Sequence, residues 1–200
     1  MNTPFIVGIG GTTSPRSSVD RALATSLAAA SAGGARVQIF DGAALCALPH
    51  YTMGQDLTPA GRALVDAVRA ADGLIVASPG YHGSVSGLVK NALDYLQETA
   101  RDERPYLDGL PVGLIVTAHG WQATGSTLAA LRSIVHALRG WPTPLGATIK
   151  ANPGLFENDR CTDAIVADQL ATIGRQVLEF ARLRQRVPQA AATADEQSTA

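Results

Sequence analysis

Cysteine is nearly missing from this chain. The two that occur, Cys46 and Cys161, stand far apart. That spacing excludes a disulfide scaffold and a cysteine-built metal centre, and free thiols in a reducing cytoplasm are expected. Charge is sparse: Asp, Glu, Lys and Arg make up 16% of residues and the net charge is −1. With no basic block, nucleic acid and anionic membrane surfaces are not expected as partners. No apolar run approaches the ~20 residues of a membrane span. The first residues lead directly into an apolar run, with no basic leader and no small-residue cleavage site. The four histidines are scattered and no acid-rich cluster accompanies them, so no metal is expected. No lysine follows a glycine-rich turn as ATP or GTP hydrolysis requires. No Ser-His-Asp or Cys-His constellation stands out.

What is present is apolar: 46% of 200 residues, enough for one substantial core. Phe5-Ile6-Val7-Gly8-Ile9 reads as a first strand, followed by a helical stripe of Val19, Leu23, Leu27 and Ala30 that stops at Gly33-Gly34. Val37 to Phe40 reads as a second strand, and 42–57 as an irregular loop. Thr58 caps a helix carrying Leu64, Val65 and Val68, and Gly73 to Ala77 is a third strand, apolar throughout as burial on both faces requires. Leu88, Val89, Ala92, Leu93 and Leu96 mark another helix, Val112 to Thr117 a fourth strand, and Leu128, Leu131, Val135 and Leu138 a fourth helix. A weaker fifth strand falls near Ala147-Thr148-Ile149, and a last helix carries Val166, Leu170, Ile173, Val177 and Phe180. Alternation of this kind predicts an α/β fold: a doubly wound, five-stranded parallel sheet with helices on both faces. Residues 1–185 read as a single domain and 186–200 as a disordered tail rich in Ala, Thr, Gln and Ser.

Two loops carry the functional signal. Gly10-Gly11-Thr12-Thr13-Ser14-Pro15-Arg16-Ser17-Ser18 follows the first strand. Hydroxyls and backbone N–H groups at a helix start, with one arginine, suit a terminal phosphate. A helix cap alone needs one hydroxyl, and this loop has five. Gly11, Thr12, Thr13, Ser14, Ser17 and Ser18 are therefore candidate phosphate ligands, with Arg16 to neutralise the charge. Ser78-Pro79-Gly80-Tyr81-His82-Gly83-Ser84 follows the third strand. Small residues and one aromatic suit the edge of a flat ring, which makes Pro79, Gly80, Tyr81, His82, Gly83 and Ser84 candidates for the ring's polar edge. A phosphate pocket and a ring pocket on one sheet point to a mononucleotide, with flavin mononucleotide (FMN) the first candidate. Gly8-Ile9-Gly10-Gly11 half matches a dinucleotide fingerprint, and Asp41 stands at the end of the second strand where a ribose-binding acid would be. The third glycine of that fingerprint is missing.

The run from Ala71-Asp72-Gly73-Leu74-Ile75-Val76-Ala77-Ser78-Pro79-Gly80-Tyr81 into Ser86-Gly87-Leu88-Val89-Lys90-Asn91-Ala92-Leu93-Asp94 resembles the NADPH-dependent FMN reductase family, as does the hydroxyl-and-arginine first loop. The resemblance covers roughly residues 5–180 and includes the alkanesulfonate-utilisation flavin reductases. It implies a flavodoxin-like fold with strand order 2-1-3-4-5. It also implies FMN with NADPH or NADH as donor, and hydride transfer from nicotinamide to flavin N5. The family's Gly-Gly pair after the fourth strand is replaced here by Thr117-Ala118-His119-Gly120. Thr117, His119 and Gly120 are the candidate third wall, with His82 and His119 as possible helpers in proton balance and no side-chain catalyst required. The resemblance further implies a flavin-dependent monooxygenase as recipient of reduced flavin and a homodimer or homotetramer, while the two lone cysteines lead to the expectation of a cytoplasmic location. The alternatives are an FMN-containing quinone, azo or metal-oxyanion reductase, or a flavodoxin-type electron carrier without hydride chemistry.

Overall fold

The computed structural model describes residues 2–186. The expected tail lies outside them beyond Arg186. Five parallel strands form the sheet: β1 (Phe5–Gly10), β2 (Arg36–Phe40), β3 (Gly73–Tyr81), β5 (Pro111–Ala118) and β6 (Trp141–Lys150). Their order is β2-β1-β3-β5-β6, with the two-residue β4 (Ser84–Val85) turned back on β3. Counting only the parallel strands, this is the 2-1-3-4-5 order expected. β1, β3 up to Pro79, and β5 are buried along their length because helices cover both faces.

One face carries α3 (Pro59–Ala70), α4 (Gly87–Asp94) and α5 (Trp121–Ala137) over Val7, Ile9, Leu74, Val76, Leu114 and Val116. The other carries α1 (Ser18–Ala32) and α6 (Ala164–Arg186) over Ile6, Ile75 and Ile115. The alternation of these residues along each strand divides the core into two layers. α1 and α6 meet backbone to backbone: a Cβ on Gly174 would run into the carbonyl of Ser26, so only glycine permits this approach. Leu93 and Leu96 of the stripe after the second loop are buried in the core, and Leu88 packs against it.

Three elements differ from the sequence reading. The loop after β2 contains a short helix, α2 (Gly42–Cys46), because Asp41 Oδ1 accepts from Ala44 N and caps it. β6 starts at Trp141, well before the weak apolar core of that strand, since an edge strand tolerates Pro142 and Pro144. A small hairpin, β7 (Phe156–Glu157) and β8 (Arg160–Cys161), intervenes before α6 and turns through Asn158 and Asp159, both left-handed. Among the described residues no helix is long and apolar enough to cross a membrane.

Candidate functional site

Register places the loops. Gly10 pairs with Ala77, and Pro79 with Thr117, so β1, β3 and β5 end side by side and their loops leave one edge of the sheet.

The first loop turns at Gly11, whose φ of 134° favours glycine. A Cβ there would run into the backbone of Gly42 and the carboxylate of Asp20. Thr12 Oγ accepts from Ser14 N at 3.1 Å, a local turn that presents Thr13 and Ser14 to solvent. Ser17 caps α1, its Oγ accepting from Asp20 N, while the Asp20 carboxylate accepts from Ser17 N at 3.1 Å and from Ser17 Oγ. The other Asp20 oxygen accepts from Gly42 N at 3.1 Å, tying the loop to α2. Among the described residues no acceptor faces the N–H groups of Thr12, Thr13 or Arg16, and the first turn of α1 leaves donors of its own. Arg16 is exposed and gives two 2.7 Å hydrogen bonds to the carboxylate of Asp159 on the hairpin turn. That bond holds the Asp159 carboxyl below its ordinary range.

The second loop is a two-residue hairpin. Tyr81 pairs with Ser84 across His82 and Gly83, both left-handed at φ of 51° and 84°. Two buried hydroxyls position it. Ser78 Oγ accepts from Ser86 N at 3.1 Å, and Thr127 Oγ1 donates from α5 to the carbonyl of Ser84 at 3.2 Å. Tyr81, His82, Gly83 and Ser84 are exposed. Behind them Thr117 is buried in β5, while His119, Gly120 and Trp121 stand exposed at the start of α5. Gly120 caps that helix without a side-chain hydrogen bond, and a Cβ on it would meet nothing within 4 Å.

Sequence reasoning missed Asp20, Ser78, Asp159 and Asn91. Asp20 was legible as the residue three positions after the cap in a Ser17-x-x-Asp20 capping box. Asn91 anchors the loop after α2: its Oδ1 accepts from Tyr51 N at 2.9 Å and its Nδ2 donates to the carbonyl of Pro49 at 3.0 Å. Tyr51 lies against Tyr95, ring centroids 5.3 Å apart, and its hydroxyl donates to Glu98 at 2.7 Å. His50 on the same loop stays exposed.

Burial first, then the hydrogen bond to Glu98, push the Tyr51 hydroxyl up to about 12 from an ordinary 10.0. A raised folded-state value means stability fully present below the ordinary value and lost as pH rises through the raised one. Unfolding free energy is therefore expected to fall between pH 10 and about 12. Denaturant titrations across that range should show the slope in the parent and a weaker one in Tyr51→Phe; equal slopes would count against the assignment.

The donor set fits a flavin nucleotide. Free N–H groups, hydroxyls and one cation at the start of α1 suit a phosphate. Exposed backbone at Gly83 and Gly120, with no bulk in front, suits the polar edge of a planar ring. A parallel sheet in this order with such loops at its carboxyl edge defines a flavodoxin-like α/β protein. An oxidoreductase from Corynebacterium diphtheriae has the same fold: TM-score 0.72, 22% identity, covering 92% of this chain and 99% of that one. An NADH:FMN oxidoreductase in its apo form is 25% identical with TM-score 0.64, each chain covered to 90%.

The chain belongs to the NADPH-dependent FMN reductase family, whose family model matches residues 4–152. It is also similar to the FMN-dependent NADPH-azoreductase of Staphylococcus aureus, 42% identical over 81 residues. That match spans 40% of this chain and 39% of the azoreductase.

Proposed function

We propose that residues 1–185 form one FMN-binding domain acting as an NAD(P)H:FMN oxidoreductase. One observation carries the reading: the loops after β1, β3 and β5 leave the same sheet edge, one rich in phosphate donors and two with open glycine backbone beside exposed aromatics. When bound, FMN supplies a ring that accepts hydride from a reduced nicotinamide. The chain supplies position and charge. Loop 11–18 fixes the phosphate, and the hairpin through His82 and Gly83 and the start of α5 present N–H groups to the ring edge, where negative charge grows on reduction. His82 and His119, both exposed, stand where protons can be exchanged with solvent. Trp121, 63% exposed, offers an aromatic face beside that edge.

The relative is named as an FMN-dependent NADPH-azoreductase, which supports an azo compound as the electron acceptor beside supply of reduced flavin to a monooxygenase. Anaerobic oxidation of NADPH and NADH, with and without added FMN, separates these fates. Bleaching of flavin that stays with the protein means a resident group. Turnover only with added FMN means a flavin-supplying reductase. FMN that binds and is reduced by neither nucleotide overturns the enzyme reading.

Arg16 has its own test. Its pair with Asp159 is exposed, so solvent screens it and it holds only weakly. A phosphate dianion therefore outcompetes the carboxylate. Arg16→Ala is expected to weaken FMN binding about tenfold and leave riboflavin binding unchanged. Asp159→Asn should strengthen FMN binding. Equal losses for FMN and riboflavin in Arg16→Ala would remove Arg16 from the phosphate site.

A further inference from the structure

Beside the first loop lies a second recess, most of whose lining falls outside the loops assigned to FMN. It is a groove of about 610 Å³ between α1, β2 and the β7–β8 hairpin. Arg21, Ala24, Thr25 and Ala28 form one wall, Ile39 and Asp41 another, and Asp159, Arg160 and Cys161 a third. A smaller cavity of about 530 Å³ sits inside the first loop against α2, lined by Thr12, Thr13 and Gly42. Arg16, Asp20 and Asp41 line both, so the two spaces meet at those three residues.

Strand order gives the groove its direction. The ring loops follow β3 and β5, the phosphate loop follows β1, and β2 lies beyond β1 at the sheet edge. A group joined to the flavin phosphate and leading away from the ring runs into this groove. We propose that it receives the adenosine half of a flavin dinucleotide, so that FAD is a ligand of this site alongside FMN. The proposal rests on the flavin reading above and extends it to the substrate class.

The lining suits a nucleoside. Ala24, Ala28, Ile39 and Ala167 give an apolar surface for a flat base. From Arg21 to Ala28 the α1 wall runs about 10 Å, room for a nucleoside laid along it. Asp41 Oδ1 is taken by the Ala44 N–H, which leaves Oδ2 for a ribose diol. This absorbs the residue that the half-matched fingerprint placed at the end of the second strand. Arg16 stands where the spaces meet, which is where a second phosphate of a diphosphate bridge would pass. The Arg21 Nε is buried without a hydrogen-bond partner, 3.8 Å from Asp159. Three arginines are matched by three aspartates around the groove. That balance disfavours a free polyanion and favours a sugar that accepts and donates hydrogen bonds.

The test is flavin binding by the full chain, read by fluorescence quenching with FMN and FAD as separate probes. Ala24→Trp and Ala28→Phe fill the groove from an exposed face of α1, where bulk is tolerated, and neither residue belongs to the FMN loops. The parent is expected to bind FAD at least as tightly as FMN. Each variant should weaken FAD about tenfold and change FMN by less than about twofold. If FMN binds while FAD binds far more weakly in the parent, or if both variants leave FAD unaffected, the proposal is overturned. If the variants raise KM for NADPH and spare FAD, the groove serves the donor's adenosine and the proposal fails. If neither flavin binds the parent, the flavin reading itself has failed, an outcome distinct from all of these.

Discussion

Asp20→Ala is expected to destabilise the protein by about 3 kcal/mol and to weaken FMN binding at the same time. The first part is the sum of two losses. A helix loses the acidic half of its capping box, about 1 kcal/mol. The N–H of Gly42, a buried residue, loses its acceptor, about 1–3 kcal/mol. The second part follows from what Asp20 joins: it holds Ser17 at one end of the first loop and α2 at the other. Without it, the donors facing the phosphate are no longer fixed before the ligand arrives. Asp20→Asn keeps an acceptor and should recover much of the stability. Chemical denaturation and FMN titration of both variants check this. A stability loss under about 1 kcal/mol with unchanged FMN affinity would show that the loop holds its shape by other means.

Gly80→Val should disable the ring side. A Cβ at Gly80 would lie 2.8 Å from Thr127 Oγ1 and 3.2 Å from both Ala118 Cβ and the carbonyl of Ala123. The strand before the second loop and the start of α5 are therefore in contact through a position with no side chain. Adding one pushes the hairpin off α5 and strains the Thr127 to Ser84 hydrogen bond. Overpacking of this kind costs about 1–3 kcal/mol. Because both ring walls shift, FMN affinity is expected to fall more than about tenfold. Gly87→Ala is the control: seven residues on, a Cβ would meet nothing within 4 Å. If Gly80→Val binds FMN as the parent does, the two walls do not act together on the ring.

The parallel strands were legible because burial on both faces forces continuous apolar runs, as in Gly73-Leu74-Ile75-Val76-Ala77 and Val112 to Thr117. The strand order came with the family resemblance and holds among the described strands. Periodicity failed where tertiary contact replaces it. β7 and β8 have two residues each, too few to show any period, yet the turn between them supplies the partner of Arg16. β6 hides behind Pro142, Pro144 and Gly146, which a sheet edge tolerates and a propensity reading rejects. At the candidate site the loops were readable from composition. The residues that hold them were not, because Ser78 and Asn91 act on partners set by the fold: Ser78 on the far side of a hairpin, Asn91 on a loop about forty positions earlier. Asp20 was the exception, since its capping box is local and could have been read.

The contact of Gly174 with Ser26 joins the first helix to the last. A ribosome making about 5–20 residues per second finishes α1 on the order of ten seconds before α6 begins to emerge. Throughout that wait, the face of α1 bearing Leu23 and Leu27 lacks the helix that packs beside it, and the hairpin that meets Arg16 has not been made. The nascent chain thus carries a sheet with one face half covered, and its apolar surface stays open to chaperones until the last helix is made.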